Sequence, residues 1–77
     1  MKDTKRLERI RRSPTSVQPE ELRKVLLSFG FEVRSIRGSH WVFVHPGFEF
    51  PLIVPYRRPL KPVYVRMALE AVDEVMR

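Results

Sequence analysis

The apolar segment Trp41–His45 most constrains the fold, because only short connections separate it from the apolar segments on either side. Its aromatic and β-branched residues favour a β-strand. Arg37-Gly38-Ser39 before it predicts a tight turn, and Pro46-Gly47 after it begins a second connection that extends up to Glu49. Connections this short join antiparallel strands. The sequence therefore predicts a three-stranded meander over residues 31–36, 41–45 and 52–54.

Prolines and helical periodicity define the rest of the predicted fold. Pro51 and Pro55 flank the third strand, which predicts a short strand at a sheet edge. A helix is predicted from Pro19 to Phe29, followed by Gly30 as its C-terminal stop. Another is predicted from Pro62 to about Met76. The apolar positions are Leu22, Val25, Leu26 and Phe29 in the first, and Val65, Ala68, Leu69, Val72, Val75 and Met76 in the second. The expected class is α+β, with both helices packed on one face of the sheet.

The N-terminal segment predicts a separate, weaker element. Asp3–Arg12 can form a short helix capped by Asp3 or Thr4, but Leu7 and Ile10 alone give it a thin apolar stripe. Residues 13–16 resemble a linker. We therefore predict a basic extension over residues 1–17, which orders only against the body or a partner, and a folded domain over residues 18–77.

Charge is unevenly distributed along the chain. Fifteen Lys and Arg residues against nine Asp and Glu give a net charge of +6. Six of the basic residues precede Ser13, and five lie in residues 32–61, with Lys61 as the last of them. This pattern indicates a polyanion or an acidic protein as partner, although arginines that merely solvate the surface would give the same composition.

Other properties of the sequence exclude several classes. The 77 residues contain no cysteine, which fits a reducing compartment such as the cytoplasm. No apolar segment approaches the ~20 residues of a membrane span, and the charged N-terminus does not resemble a secretory signal. With two histidines, scattered acids and no glycine-rich phosphate loop, neither a metal nor a small-molecule cofactor is expected.

His40 is the residue with the clearest potential for chemistry. An imidazole exchanges protons close to neutral pH, and RNA carries its own nucleophile in the 2′-hydroxyl group. Arg37, Arg57, Arg58 or Lys61 can stabilise the charge that develops on a phosphate, and Ser39 with the backbone N–H groups around Gly38 can hold a phosphate oxygen. The alternative is a histidine that caps a turn or lies exposed at a strand end, and the residues alone favour that alternative.

The second histidine is not expected to join the first. His40 and His45 are five positions apart, and an odd spacing places two side chains on opposite faces of a regular strand. His45 is therefore predicted to be a surface residue at the strand end, and Tyr56 or Lys61 would supply a second proton-transfer group. Trp41 and Phe43 share a face and can either stack on bases or fill the core, and the core is favoured in so small a chain.

Several motifs in one order resemble the HicA family of mRNA interferase toxins. They are Gly38-Ser39-His40 before an aromatic strand, Val54-Pro55, and Leu60-Lys61-Pro62 opening a helix. The resemblance covers about residues 19 to 76. It departs from the family where many members have a histidine after the Val-Pro pair, since Tyr56-Arg57-Arg58 stands there.

The resemblance implies a fold, an activity and a partner. The fold is like a double-stranded-RNA-binding domain, with a helix, a three-stranded antiparallel sheet and a helix, here preceded by the extra N-terminal helix or arm. The activity is endoribonuclease cleavage of mRNA without a metal, with His40 as the catalytic histidine. The implied partner is a HicB-type antitoxin. The alternative function is a non-catalytic RNA-binding module of the same fold, and a further alternative is a domain that only binds an acidic protein.

Overall fold

A computed structural model describes residues 2–77, so Met1, the first residue of the predicted extension, lies outside the described residues. The elements in chain order are α1 (Thr4–Arg12), α2 (Pro19–Ser28), β1 (Glu32–Arg37), β2 (His40–His45), β3 (Phe48–Pro55) and α3 (Pro62–Met76). The three strands form one antiparallel sheet in the order β1-β2-β3. The predicted α+β class and the order helix, three strands, helix are confirmed, with α1 as an additional element.

The termini of α2 and α3 follow from proline and glycine chemistry. Pro19 and Pro62 occupy the first turns, where a missing N–H leaves no helical hydrogen bond unmade. After α2, Gly30 adopts a φ of +96°. The Gly30 N–H donates to the Leu27 carbonyl at 3.1 Å and the Phe31 N–H to the Leu26 carbonyl at 3.0 Å. These two bonds form a Schellman motif, which turns the chain directly into β1.

The third strand is longer than its sequence predicts. β3 contains eight residues and includes both Pro51 and Pro55, so the prediction of a short strand is wrong, while its position at the sheet edge is confirmed. Pro51 lies within the stretch where the pairing with β2 is irregular, between the His45–Phe48 and Phe43–Leu52 pairs. An edge strand tolerates proline because N–H groups on its free side have no partner to lose.

One face of the sheet packs against the helices and the other is open. On β3, Leu52 and Val54 are buried whereas Ile53 between them is 48% exposed. Phe43 on β2 is buried on the same side as Leu52, its cross-strand partner. The predicted core role of Phe43 is thereby confirmed. Burial of each such side chain contributes about 1.5–3 kcal/mol, and these layers hold the strand that carries His40.

The N-terminal helix α1 is part of the same core. Its two apolar residues, Leu7 and Ile10, are 2% and 1% exposed and lie in one cluster with the apolar residues of α2 and the sheet. Asp3 caps the helix, since its Oδ1 accepts a hydrogen bond from the Arg6 N–H at 3.1 Å. Arg11 also donates two hydrogen bonds to Asp73 of α3, at 2.5 and 3.3 Å. Two buried apolar residues are therefore enough to form α1, because packing against the core and ion pairs stabilise a helix that would be marginal alone.

His45 has a structural role, which its sequence position did not indicate. It is half-buried on the helix side, with its ring 4.9 Å from that of Phe31. Its Nε2 lies 3.2 Å from the Phe29 carbonyl, and its Nδ1 accepts a hydrogen bond from the Gly47 N–H at 2.8 Å. A neutral imidazole protonated on Nε2 satisfies both contacts. The prediction of a surface residue is therefore wrong, and His45 instead joins the end of α2 to the β2–β3 turn.

Gly30→Ala is expected to destabilise the protein by about 1–3 kcal/mol. The positive φ strains any other residue, and a Cβ atom at this position would lie 2.9 Å from the His45 Nε2. Gly38→Ala is the matched control, because Gly38 has a φ of +59° but a Cβ atom there would have no atom of a non-neighbouring residue within 4 Å. In urea denaturation, equal losses for the two variants would contradict a specific contact with His45.

Candidate active site

An open cleft forms where β2 begins, β3 ends and α3 begins. It has a volume of about 390 Å³. Six residues line it: Ser39, His40, Pro55, Arg57, Lys61 and Tyr64. None of these six described residues is acidic, so the cleft combines one imidazole, two hydroxyl groups and two cations. We call it the His40 cleft.

The β1–β2 turn places His40 at the rim of this cleft. Gly38 and Ser39 form the two-residue connection, and the positive φ of Gly38 alone matches a type II′ hairpin turn. The Ser39 carbonyl accepts a hydrogen bond from the Tyr56 N–H at 2.5 Å, which ties the turn to the end of β3. His40 itself is exposed and pairs across the sheet with Arg37 and Pro55. A rigid strand therefore presents its imidazole to solvent.

The segment after β3 carries the cations into the cleft. Between Arg57 and Lys61, Leu60 is 1% exposed and its N–H donates to the Val17 carbonyl at 2.9 Å. This anchor holds the otherwise irregular segment against the body. Arg57 and Lys61 are both exposed, so their charges can meet a phosphate at little desolvation cost.

The remaining predicted residues lie beside the cleft rather than in its lining. Arg37 is the last residue of β1 and Gly38 lies in the adjacent turn, and both are exposed. Arg58 and Tyr56 instead contact Glu20 in the first turn of α2. The sequence grouped Arg57 with Arg58, but the two consecutive side chains take different directions.

Glu20 holds the segment after β3 in place. Its carboxylate accepts hydrogen bonds from the Tyr56 hydroxyl and from the Arg58 guanidinium. The Tyr56 ring lies 5.0 Å from that of Trp41, and Arg58 lies 5.5 Å from the Tyr56 ring centre. The hydrogen bond from Tyr56, together with a backbone hydrogen bond and the charge of Arg58, lowers the pKa of Glu20 below its ordinary value. We call these three residues, Glu20, Tyr56 and Arg58, the Glu20 clamp.

The Glu20 clamp is expected to open in acid. Because the folded-state pKa of Glu20 is lowered, its contribution is complete above the ordinary pKa of glutamate and is lost as the pH falls through the lowered value. Trp41 is the sole tryptophan and its ring contacts Tyr56. Its fluorescence should therefore change when the clamp opens, as the pH is lowered below about 4.3. The change should be absent in Glu20→Gln, and its persistence there would assign it to another carboxyl group.

Tyr64 is a member of the cleft that the sequence analysis missed. It is half-buried in the first turn of α3, and its N–H donates to the Lys61 carbonyl at 3.0 Å. The i, i+3 spacing of Lys61 and Tyr64 at a helix start places them on one side. That spacing was the signal in the sequence that could have added Tyr64 to Tyr56 and Lys61 as a candidate for the second proton transfer.

Comparison with known families assigns the chain. Residues 19–73 match the family model described as "HicA toxin of bacterial toxin-antitoxin". The matched segment is most of the chain and includes α2, the sheet, the His40 cleft and nearly all of α3. The chain belongs to the HicA toxin family. No curated protein and no solved structure matches it significantly.

Membership of the HicA family makes the protein a toxin of a toxin–antitoxin system, with a cognate antitoxin as its partner. The match begins at Pro19 and so leaves out α1, although α1 packs into the core. α1 is therefore a helix of this HicA chain that the family match does not cover.

Residues 2–77 contain neither a metal-binding cluster nor a membrane-spanning helix. No three His, Cys, Asp or Glu side chains in this part of the HicA chain lie together as a metal site requires. Within the same residues, no helix combines the length and the apolarity needed to cross a membrane.

Proposed function

We propose that this HicA toxin is a metal-independent endoribonuclease that cleaves mRNA with His40 as its catalytic histidine. The observation that carries the proposal is the His40 cleft, in which an exposed imidazole lies among Arg57, Lys61 and Tyr64 without a lining carboxylate. Cations and a proton-transfer group in one open cleft suit a phosphodiester. The helix–sheet–helix order is also the one expected of a fold like the double-stranded-RNA-binding domain.

The proposed reaction uses the nucleophile of the RNA itself. The 2′-hydroxyl oxygen attacks the adjacent phosphorus, a new P–O2′ bond forms and the P–O5′ bond breaks. One proton leaves the 2′-hydroxyl group and one reaches the O5′ leaving group, so the products are a 2′,3′-cyclic phosphate and a 5′-hydroxyl end. No electron is transferred and no second reactant is consumed.

The cleft residues take separate roles in this reaction. His40 acts as general base or general acid, and Tyr64 lies in the same cleft with a hydroxyl group for the other proton transfer. Arg57 and Lys61 stabilise the charge on the phosphate oxygens. The Tyr56 hydroxyl is engaged by Glu20, so Tyr64 replaces it as the second candidate.

The turn beside the cleft would bind the substrate backbone. Arg37 is exposed next to His40, and Ser39 lines the cleft. The hydroxyl of Ser39, the backbone N–H groups near Gly38 and the guanidinium of Arg37 are donors for neighbouring phosphates. We assign these residues to RNA binding, and Arg58 to holding the segment that carries Arg57.

The proposed partner is a HicB-type antitoxin that neutralises the cationic cleft and covers His40, and the proposed location is the cytoplasm, where mRNA is translated.

The test of activity is incubation of the purified protein with single-stranded RNA in EDTA. Fragments that end in 2′,3′-cyclic phosphate are expected. Salt-sensitive binding without cleavage would instead support the non-catalytic RNA-binding module.

A further inference from the structure

A second cleft lies between α1, α2 and the segment after β3. It has a volume of about 360 Å³ and is open to solvent. Seven residues line it: Arg6, Arg9, Gln18, Glu20, Glu21, Lys24 and Arg58. We call it the α1–α2 cleft. Because α1 lies outside the family match, this cleft does not follow from membership of the family.

The carboxylates of the α1–α2 cleft lie beside protein cations. Glu20 accepts hydrogen bonds from Arg58 and Tyr56, and Glu21 lies against Arg9 with no hydrogen bond to its buried Oε2 within residues 2–77. Lys24 is exposed and forms no ion pair within residues 2–77. Arg6 has only a long contact of 3.6 Å with Asp3. Arg6 and Lys24 therefore keep donors for an external anion, and the cleft has more basic than acidic residues.

The two clefts meet at consecutive residues. Arg57 lines the His40 cleft and Arg58 lines the α1–α2 cleft. The segment at Arg57 and Arg58 therefore borders both clefts, with one cation in the lining of each. The Glu20 clamp holds the segment that contains Arg57 and Arg58.

We propose that the α1–α2 cleft is a second phosphate-binding site, which holds the part of an RNA strand that extends beyond the His40 cleft. The inference rests on the proposed ribonuclease function and adds a role for α1. A repeating polyanion fits this arrangement because cations line two clefts that border the same segment of the chain. The second site contributes affinity for long RNA and takes no part in the chemical step.

Lys24→Glu is the decisive variant, with Arg6→Gln as an independent second change. Arg66→Glu is the matched control, since Arg66 is exposed on α3 and lines neither cleft. Each protein is tested with RNAs of about 16 and about four nucleotides, the two ends of the site-size range of a single OB fold on single strands. Binding is measured by fluorescence anisotropy across salt concentrations and cleavage by gel analysis in EDTA.

Lys24→Glu should weaken binding of the long RNA at least about eightfold at about 0.1 M salt and lower the salt slope by at least about 1, because one phosphate contact is lost and the new carboxylate repels the phosphates. Cleavage of the short RNA should keep the parent's rate, and Arg66→Glu should bind like the parent. Unchanged long-RNA binding by Lys24→Glu, or an equal loss in Arg66→Glu, overturns the second site alone. A parent that neither binds nor cuts RNA overturns the proposed function and the second site together.

Discussion

His40→Ala is expected to slow RNA cleavage by about 10²–10⁴-fold, the usual contribution of a positioned acid or base. The imidazole is the group among the six cleft residues best suited to transfer protons at neutral pH. The variant should keep most of its RNA affinity, since Arg57 and Lys61 remain in place. Cleavage rates and binding constants are measured on the same preparations, in EDTA, with one RNA.

The fold of His40→Ala should be unaffected. His40 is exposed and its side chain has no hydrogen-bond partner among residues 2–77, so a stability change within about 0.5 kcal/mol is expected. Arg66→Ala, an exposed change on α3, controls for preparation and contaminating nuclease. If His40→Ala cuts as fast as the parent, the assignment of His40 is wrong. If neither protein cuts but both bind RNA, the non-catalytic binding module is the better description.

The helices could be predicted because their signals are local. Pro19, Gly30 and Pro62 act within one turn of the residue itself, through a fixed φ or a positive φ. The predicted beginning and end of α3 agree with the structure, and α2 ends at Ser28, one residue before the predicted end. These predictions depended on residues adjacent in the sequence, so contacts with distant parts of the chain had little effect on where the helices begin and end.

The lining of the His40 cleft was only partly predictable. His40, Ser39, Arg57 and Lys61 were identified from residue type, whereas Tyr64 was not. The separation of Arg57 from Arg58 depends on Glu20, which is 38 residues away from Arg58 in sequence. A short-range sequence pattern cannot predict the direction of a side chain when a partner this distant in sequence fixes that direction.

The partial burial of His45 likewise depends on residues that are distant from it in sequence. Strand alternation predicts opposite faces for His40 and His45 in a regular strand, and only His40 lines the cleft. The burial of His45 required the end of α2 to approach the β2–β3 turn, so that the Phe29 carbonyl and the Gly47 N–H meet one imidazole. The sequence position before Pro46 gave no sign of this approach.

Ile10→Ala is expected to destabilise the protein by about 2–5 kcal/mol, the usual cost of removing a buried isoleucine side chain. Ile10 is 1% exposed and belongs to the cluster that includes residues of α2, the sheet and α3. A domain of this size has a total stability of only about 5 kcal/mol, so the variant should be close to unfolded. Thermal unfolding followed by circular dichroism measures the effect.

Lys5→Ala provides the control on the same helix, because Lys5 is exposed and its loss should change stability by no more than about 0.5 kcal/mol. The division into an extension over residues 1–17 and a domain over residues 18–77 remains a prediction, and the two variants address it. A large loss for Ile10→Ala alone would mean that the family segment of this chain needs α1 to complete its core, and that α1 is fixed well enough to form one wall of the α1–α2 cleft. A loss below about 1 kcal/mol would mean that α1 detaches at little cost, and a phosphate site built partly from Arg6 would then lack a rigid support.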